Sequence, residues 1–301
     1  MKKLLLTLAL LPSFSFAQEL SFKQISPGIY VHHGEHKDID ADYGGDICNL
    51  SFVIGKKGIA VIDTGGSPKV GTQLRRAIRK VSKLPILYVI NTHVHPDHVL
   101  GNIAFEADHP TFVGHSDLAN FMAQRKENYL KNLASWVGTA AVGNEVIPPS
   151  LTVSSTKTID LGGRSLNLTA YPTAHSSTDM AVFDTKSKTL WTGDLLFIER
   201  TPSIDGDIIG WLNVINELDK IKTTLTVPGH GAVAADGHTA LGNEQRYLST
   251  LVNDIRAAIK EERGMEETIK TAGQSEKDKW VLFDIINRRN VALIYPKLEW
   301  E

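Results

Sequence analysis

The stretch of chain richest in chemistry is N-T-H-V-H-P-D-H, Asn91 to His98, which sets three imidazoles and a carboxylate within six residues. Nitrogen and oxygen donors of this kind suit zinc. In an extended segment His93 and His95 point to the same side, and a turn at Pro96 redirects Asp97 and His98 toward a neighbouring position. One short loop can thereby feed two metal ions, which a helical H-E-x-x-H arrangement cannot. The competing readings are a solvated polar turn or a single structural metal. The lone cysteine, Cys48, excludes an intramolecular disulfide framework and any Cys-rich zinc module, so ligation falls to histidine and aspartate. No G-x-S-x-G nucleophile elbow is present.

The elements that must position this loop are legible from periodicity. The motif follows the β-type run Ile86–Asn91, and similar short runs occur at Ile29–Val31, Ser51–Ile54 and Ile59–Ile62. Val70, Leu74, Ala77, Ile78 and Val81 fall at helical spacing. Further strands are expected at Thr111–Val113, Ser165–Tyr171, Met180–Phe183, Thr189–Thr192 and Leu225–Val227. Helices are expected at Asp117–Val137, Ile209–Ile221 and Thr239–Glu262. Val137–Ser155, rich in Gly, Pro, Ser and Thr, reads as a long loop. Strands interleaved with helices imply an α/β (α+β) body with two sheets covered by helices. No repeat and no sharp composition shift divides the chain.

The totals agree with an enzyme. The 301 residues carry 32 Lys+Arg against 34 Asp+Glu, a formal charge of -2, which argues against a nucleic-acid partner. Residues 1–17 read as a signal peptide: Lys2 and Lys3 form a basic n-region, Leu4 to Leu11 an apolar h-region, and Ser15 and Ala17 a small-residue cleavage site. The run is too short to span a membrane and no cysteine follows for a lipid anchor. A periplasmic protein is expected, with no membrane anchor and Cys48 as a buried free thiol.

At this point the sequence resembles the metallo-β-lactamase fold superfamily, whose hallmark is H-x-H-x-D-H after a β-strand; the resemblance runs roughly from Ile25 to Gly231. It implies a four-layer αββα sandwich over residues 18–301, with a helical insertion near 115–150 and a helical C-terminal segment near 239–301. It also implies the remaining ligands: His175 in T-A-H-S-S-T-D, Asp194 in W-T-G-D, taken to end the strand Thr189–Thr192, and His230 in V-P-G-H-G. By analogy His93, His95 and His175 hold one zinc, Asp97, His98 and His230 the other, and Asp194 bridges them. Asp63, in V-I-D-T-G, either orients the ligand loop by hydrogen bonding or caps a helix or turn before Gly65 and Gly66; Asp179 caps a turn. Two Zn²⁺ would bring a shared water's pKa toward about 7, with Asp97 and Asp194 as the catalytic carboxylates.

Departures from relatives narrow the branch. Class B β-lactamases carry cysteine or serine where Asp194 stands, and flavodiiron proteins carry glutamate where His95 stands. The pattern looks more like glyoxalase-II-type thioesterases and lactonases, although persulfide dioxygenases share it and use one iron, so iron stays open. Tyr43–Gly55, Val61–Pro68 and Ile90–Asn102 are similar to periplasmic metallohydrolases associated with quinoprotein dehydrogenases, which implies an association with such a system. The resulting expectation is a periplasmic zinc hydrolase of a small ester, thioester or lactone. The rivals are an iron-dependent sulfur dioxygenase, a β-lactamase-like activity, or a non-catalytic accessory. Three histidines and several carboxylates in His32–Asp46 read as a solvated loop, with a substrate flap or metal-loading site as the alternative. On Asp117–Val137, Leu118, Phe121, Met122, Tyr129, Leu133 and Trp136 form a packing face or pocket wall. Arg125, Lys126 and Lys131 either attract an anionic substrate or are simply solvated.

Overall fold

The computed structural model describes residues 19–40, 43–137 and 145–301. The expected signal peptide, residues 41–42 of the His32–Asp46 stretch and residues 138–144 of the expected long loop lie outside the described residues.

Alternation of side chains decides the layers. Strand β4 (Ile59–Ile62) turns Ile59 and Val61 to one face and Ala60 and Ile62 to the other, all buried. Its outer face meets helix α1 (Pro68–Val81), which begins where Ser67 caps the Val70 amide and Pro68 opens the first turn. Val70, Leu74 and Ile78 of α1 pack on Leu50 and Phe52 of β3 (Leu50–Ile54) and on Val89 of β5 (Ile86–Ile90). The inner face packs Ala60, Ile62, Ile90 and Val113 against Leu166, Leu168, Val182 and Trp191 of a second sheet. The far side of that second sheet buries Leu190, Leu195 and Phe197 against Trp211, Leu248 and Ile294 of C-terminal helices. Helix, sheet, sheet, helix: the expected four layers.

The first sheet runs β1 (Lys23–Ser26), β2 (Ile29–His32), β3, β4, β5, β6 (Thr111–His115), β7 (Leu151–Val153); pairs are antiparallel up to β4 and parallel beyond it. The second runs β12 (Leu225–His230), β11 (Thr189–Phe197), β10 (Met180–Asp184), β9 (Ser165–Ala170), β8 (Thr156–Asp160). There β11–β12 is parallel and the other pairs antiparallel, so β9, β11 and β12 run out toward the same end. The helices are α1, a one-turn α2 (Pro96–Val99), α3 (Leu118–Val137), α4 (Ile208–Leu218), α5 (Gly237–Lys260), α6 (Met265–Thr271) and α7 (Phe283–Glu299). None among the described residues is long and apolar enough to cross a membrane.

Three expectations need correction. The 137–155 segment is not all loop: Leu151–Val153 pairs with β6, a strand too short to show a periodicity. Asp194 does not end its strand, because β11 continues to Phe197. The ladder to β12 breaks on both sides of Gly193, which sits at φ 53; this irregularity re-aims the side chain that follows. The His32–Asp46 stretch is only partly solvated, since His32, Gly34, Tyr43 and Gly45 are buried while His33 and Glu35 are exposed.

Candidate metal centre

Strand β5 delivers the loop, and buried amides hold it. Asn91 and Asn102 exchange side-chain hydrogen bonds of 3.1 and 2.8 Å, and Thr64 Oγ1 donates to Asn102 at 2.8 Å. The loop then enters α2, which presents Asp97 and His98 on a helical turn at Pro96, as the sequence implied. Thr92 O accepts from Met180 N at 2.8 Å, which ties the loop to the second sheet. His175 lies between β9 and β10, in a turn held by Asp179: its carboxylate accepts from Ser176 N at 2.8 Å and Ser176 Oγ at 2.6 Å. His230 is the last residue of β12.

All seven residues expected to bind metal converge. Nitrogen or oxygen atoms of His93, His95, His175 and Asp194 lie within 4.8 Å of one another, and so do those of Asp97, His98 and His230. Asp194 faces both groups: its Oδ2 is 3.6 Å from His93 Nε2, 3.3 Å from His175 Nε2 and 3.4 Å from His230 Nε2, and its Oδ1 is 3.1 Å from His98 Nε2. Asp97 Oδ2 lies 3.4 Å from His98 Nε2 and 3.3 Å from His230 Nε2.

The outer nitrogen of each histidine fixes what the inner one can do. His175 Nδ1 faces the Ser203 carbonyl at 2.7 Å and His230 Nδ1 the Ile47 carbonyl at 2.7 Å. His98 Nδ1 meets Asp63 at 2.8 Å and His95 Nε2 meets Asp205 at 2.9 Å. These partners accept only, so the imidazole must donate, and in the neutral ring the other nitrogen is a bare lone pair. His93 follows suit: its Nδ1 faces Thr92 Oγ1 at 3.0 Å, and that hydroxyl spends its proton on Asp63 at 2.8 Å. In their neutral form all five rings therefore point a lone pair inward, beside two carboxylates. His95 Nδ1 stands 2.8 Å from His175 Nε2 and 3.0 Å from His93 Nε2 with no proton to share. His98 Nε2 and Asp194 Oδ1 are buried without a hydrogen-bond partner. Such a donor set fits cations at its centre.

Burial drives His93 well below the ordinary imidazole range and His175 down to about 3, which leaves those two rings neutral. Burial works to lower His98 and His230 as well, but the carboxylates facing them, Asp194 and Asp97, hold both above that range, so a cation bound there takes the place of their proton. Burial works to raise the Asp194 carboxyl, but positive charge on His230 and His98 beside it holds it well below the usual range. Phe197 stacks on His230 at 5.1 Å and Trp211 meets His175 edge-on at 5.2 Å, forming an apolar wall behind the ligands.

Asp63 does not cap α1, which Ser67 does; its carboxylate accepts from Thr92 N, Thr92 Oγ1 and His98 Nδ1. Cys48 is buried; its thiol, pushed well up by burial, donates to Asp97 O at 2.9 Å. Arg125 is not simply exposed: its guanidinium donates to Asp205 at 2.7 Å, which ties α3 to the partner of His95. Asp205 itself carries no sequence signal, lying in S-I-D-G-D with no fixed spacing to the histidines. Thr92 stands inside the motif, and its position between strand and ligand was the available clue.

The family model described as the metallo-beta-lactamase superfamily matches residues 43–230. Among solved structures, a metallo-beta-lactamase from Pontibacter korlensis is 22% identical, covering 77% of this chain and 99% of its own, with a TM-score of 0.63. The stereoselective inverting sec-alkylsulfatase Pisa1 from Pseudomonas sp. is 17% identical, covering 92% of this chain and 50% of its own, with a TM-score of 0.71. At such identities the likeness is one of fold. A curated relative, the 2,4-dinitroanisole O-demethylase subunit alpha of Nocardioides sp. (strain JS1661), is 24% identical over 180 residues, 58% of this chain; the chain spans about half that relative's length, 50% of it being covered.

Proposed function

The chain belongs to the metallo-beta-lactamase superfamily, and from that premise we propose that it is a zinc-dependent hydrolase of a small ester, thioester or lactone that works in the periplasm. The observation that carries the reading is the inward set of five imidazole lone pairs and two carboxylates, each imidazole fixed from outside. We assign His93, His95, His175 and Asp194 to one zinc and Asp97, His98 and His230 to the other, with Asp194 shared between them. Bound zinc ions supply a water ionised near neutral pH and a Lewis acid for the electrophile.

The protein's own contribution is positional. Asp194 lies between both ligand groups, within 3.6 Å of a nitrogen of His93, His98, His175 and His230. Asp97, with Oδ2 about equally distant from His98 and His230, offers a carboxylate that orients a nucleophilic water or takes its proton. Phe197 and Trp211 keep bulk water from the rear of the site, which strengthens the electrostatics within it. In the net reaction water adds to the acyl carbon, the bond to the alcohol or thiol breaks, and the proton passes to the leaving group.

The periplasmic location rests on the leader-like residues 1–17. An accessory role beside a quinoprotein dehydrogenase rests on the likeness of Tyr43–Gly55, Val61–Pro68 and Ile90–Asn102. The test is metal analysis of the purified protein followed by a panel of thioesters, lactones and β-lactams on the zinc-loaded form. Turnover of a thioester or lactone is expected. A single iron with oxygen uptake on persulfides, or no turnover on the whole panel, would overturn the hydrolase reading.

A further inference from the structure

Away from the central cluster, His33, His36 and Glu199 bring two imidazoles and a carboxylate to one point on the surface, their ligand atoms within 4.8 Å of one another. His36 Nε2 is 3.1 Å and His33 Nε2 3.9 Å from the same oxygen, Glu199 Oε2, and the two rings meet edge-on at 5.3 Å. Two donors on one tetrahedral zinc, at bond lengths of about 2.0–2.2 Å, stand about 3.3–3.6 Å apart. The two observed separations bracket that span, so small side-chain rotations close the geometry.

The three residues come from segments already fixed by other contacts. His33 and His36 flank Gly34, whose amide donates to Asn49 Oδ1 at 3.2 Å, and an added Cβ there would lie 2.4 Å from the Ile47 carbonyl carbon. Glu35 N donates to Asp46 O at 2.9 Å, and Arg200 Nη1 to Lys37 O at 2.8 Å. Glu199, at φ 66, follows Ile198, whose amide donates to the His230 carbonyl at 3.0 Å. The backbone is thus set before any ion arrives, and binding needs to order side chains alone.

The geometry points to a third, peripheral metal site at His33, His36 and Glu199, open to water at its remaining positions and suited to zinc or copper(II) rather than to calcium or magnesium. Two imidazoles with one carboxylate select borderline divalent ions, copper(II) ahead of zinc. An ion there clamps the loop after β2 to the end of β11, next to the strand end that carries His230. The inference is independent of the hydrolase reading, because it concerns ligands outside the central cluster.

The test is calorimetric titration of the metal-free full-length protein with zinc, comparing wild type with the His33→Ala/His36→Ala double variant. Wild type is expected to take one more equivalent than the double variant, whose central equivalents are unchanged. Glu199→Gln keeps a hydrogen bond to His36 but weakens ligation, and the extra equivalent should bind about tenfold or more weakly. Equal stoichiometry in wild type and double variant would overturn the site. Should the double variant misfold, the wild-type histidine ring signals decide: zinc added beyond central saturation shifts those of His33 and His36, and signals unmoved at millimolar zinc refute the proposal.

Discussion

Asp63→Asn is the most informative single change at the central cluster. The residue is 2% exposed and its carboxylate accepts three hydrogen bonds: Oδ1 from Thr92 N at 2.9 Å, and Oδ2 from Thr92 Oγ1 and His98 Nδ1, both at 2.8 Å. Its backbone sits at φ 55, a region that asparagine tolerates as well as aspartate does, so the turn survives. An amide offers one acceptor oxygen and one donor NH₂, and either orientation sets donor against donor. With NH₂ in the Oδ2 position, His98 must release its Nδ1 proton or turn away, and its inner lone pair is lost. With NH₂ in the Oδ1 position, it opposes Thr92 N and displaces the residue that precedes and anchors His93. One ligand suffers in each case, and loss of such an orienting partner costs about 10–100-fold in metal affinity, or about 1.4–2.7 kcal/mol. Competition with a chromophoric chelator measures it, and turnover at limiting zinc should fall in parallel. Wild-type zinc affinity in a folded Asp63→Asn protein would refute the reasoning and reduce Asp63 to a turn former.

Other changes test separate steps. Asp194→Ala removes the oxygen pair that faces both ligand groups, so bound metal should drop by at least one equivalent and turnover should be abolished; survival of both in elemental analysis and assay would break the shared-ligand assignment. Burial pushes the Glu244 carboxyl well above its ordinary range, with Oε1 accepting from Phe197 N and Oε2 unpartnered. Because its folded-state pKa is raised, the stability it permits at low pH is lost as pH rises above about 4.3, at up to about 1.4 kcal/mol per pH unit until the folded pKa is reached. Glu244→Gln should therefore gain on wild type between pH 5 and pH 8 in urea unfolding of the metal-loaded protein, and a pH-independent difference would contradict this. Gly101 lets the ligand loop approach α1: a Cβ there would lie 2.0 Å from Thr64 O and 3.1 Å from Gly71 Cα. Gly101→Ala should cost about 1–3 kcal/mol in thermal or urea unfolding, and an unchanged midpoint would show that the loop has slack.

The sequence made the ligand set legible because the donors are chemically distinctive and stand beside strong strand signals. Residues 59–62 are apolar and wholly buried, residues 86–90 are apolar with Ile86, Val89 and Ile90 buried, and both strands formed where expected. Strand β8 did not announce itself, since T-K-T-I-D buries only Ile159, and an edge strand with one inward side chain resembles a loop. The true length of β11 was hidden by Gly193 and Asp194, residues that usually end strands; here they mark an irregularity at the site. The partners that orient the histidines were less legible still. Ser203 and Ile47 act through backbone carbonyls, which no side-chain pattern encodes, and Asp205 reaches His95 across 110 positions of chain.

Those distant partners tie metal supply to the lifetime of the protein. In the unfolded chain no carbonyl or carboxylate from a remote segment sets the tautomer of any ligating histidine, so tight capture belongs to the folded form. An ion that prefers the folded chain stabilises it by about 2.7 kcal/mol once its free concentration is a hundred times the dissociation constant. The metal-free chain keeps five imidazoles and two carboxylates crowded together and forgoes that gain. A shortage of metal should therefore appear first as a lower melting temperature and faster proteolysis, before activity of the remaining loaded molecules changes.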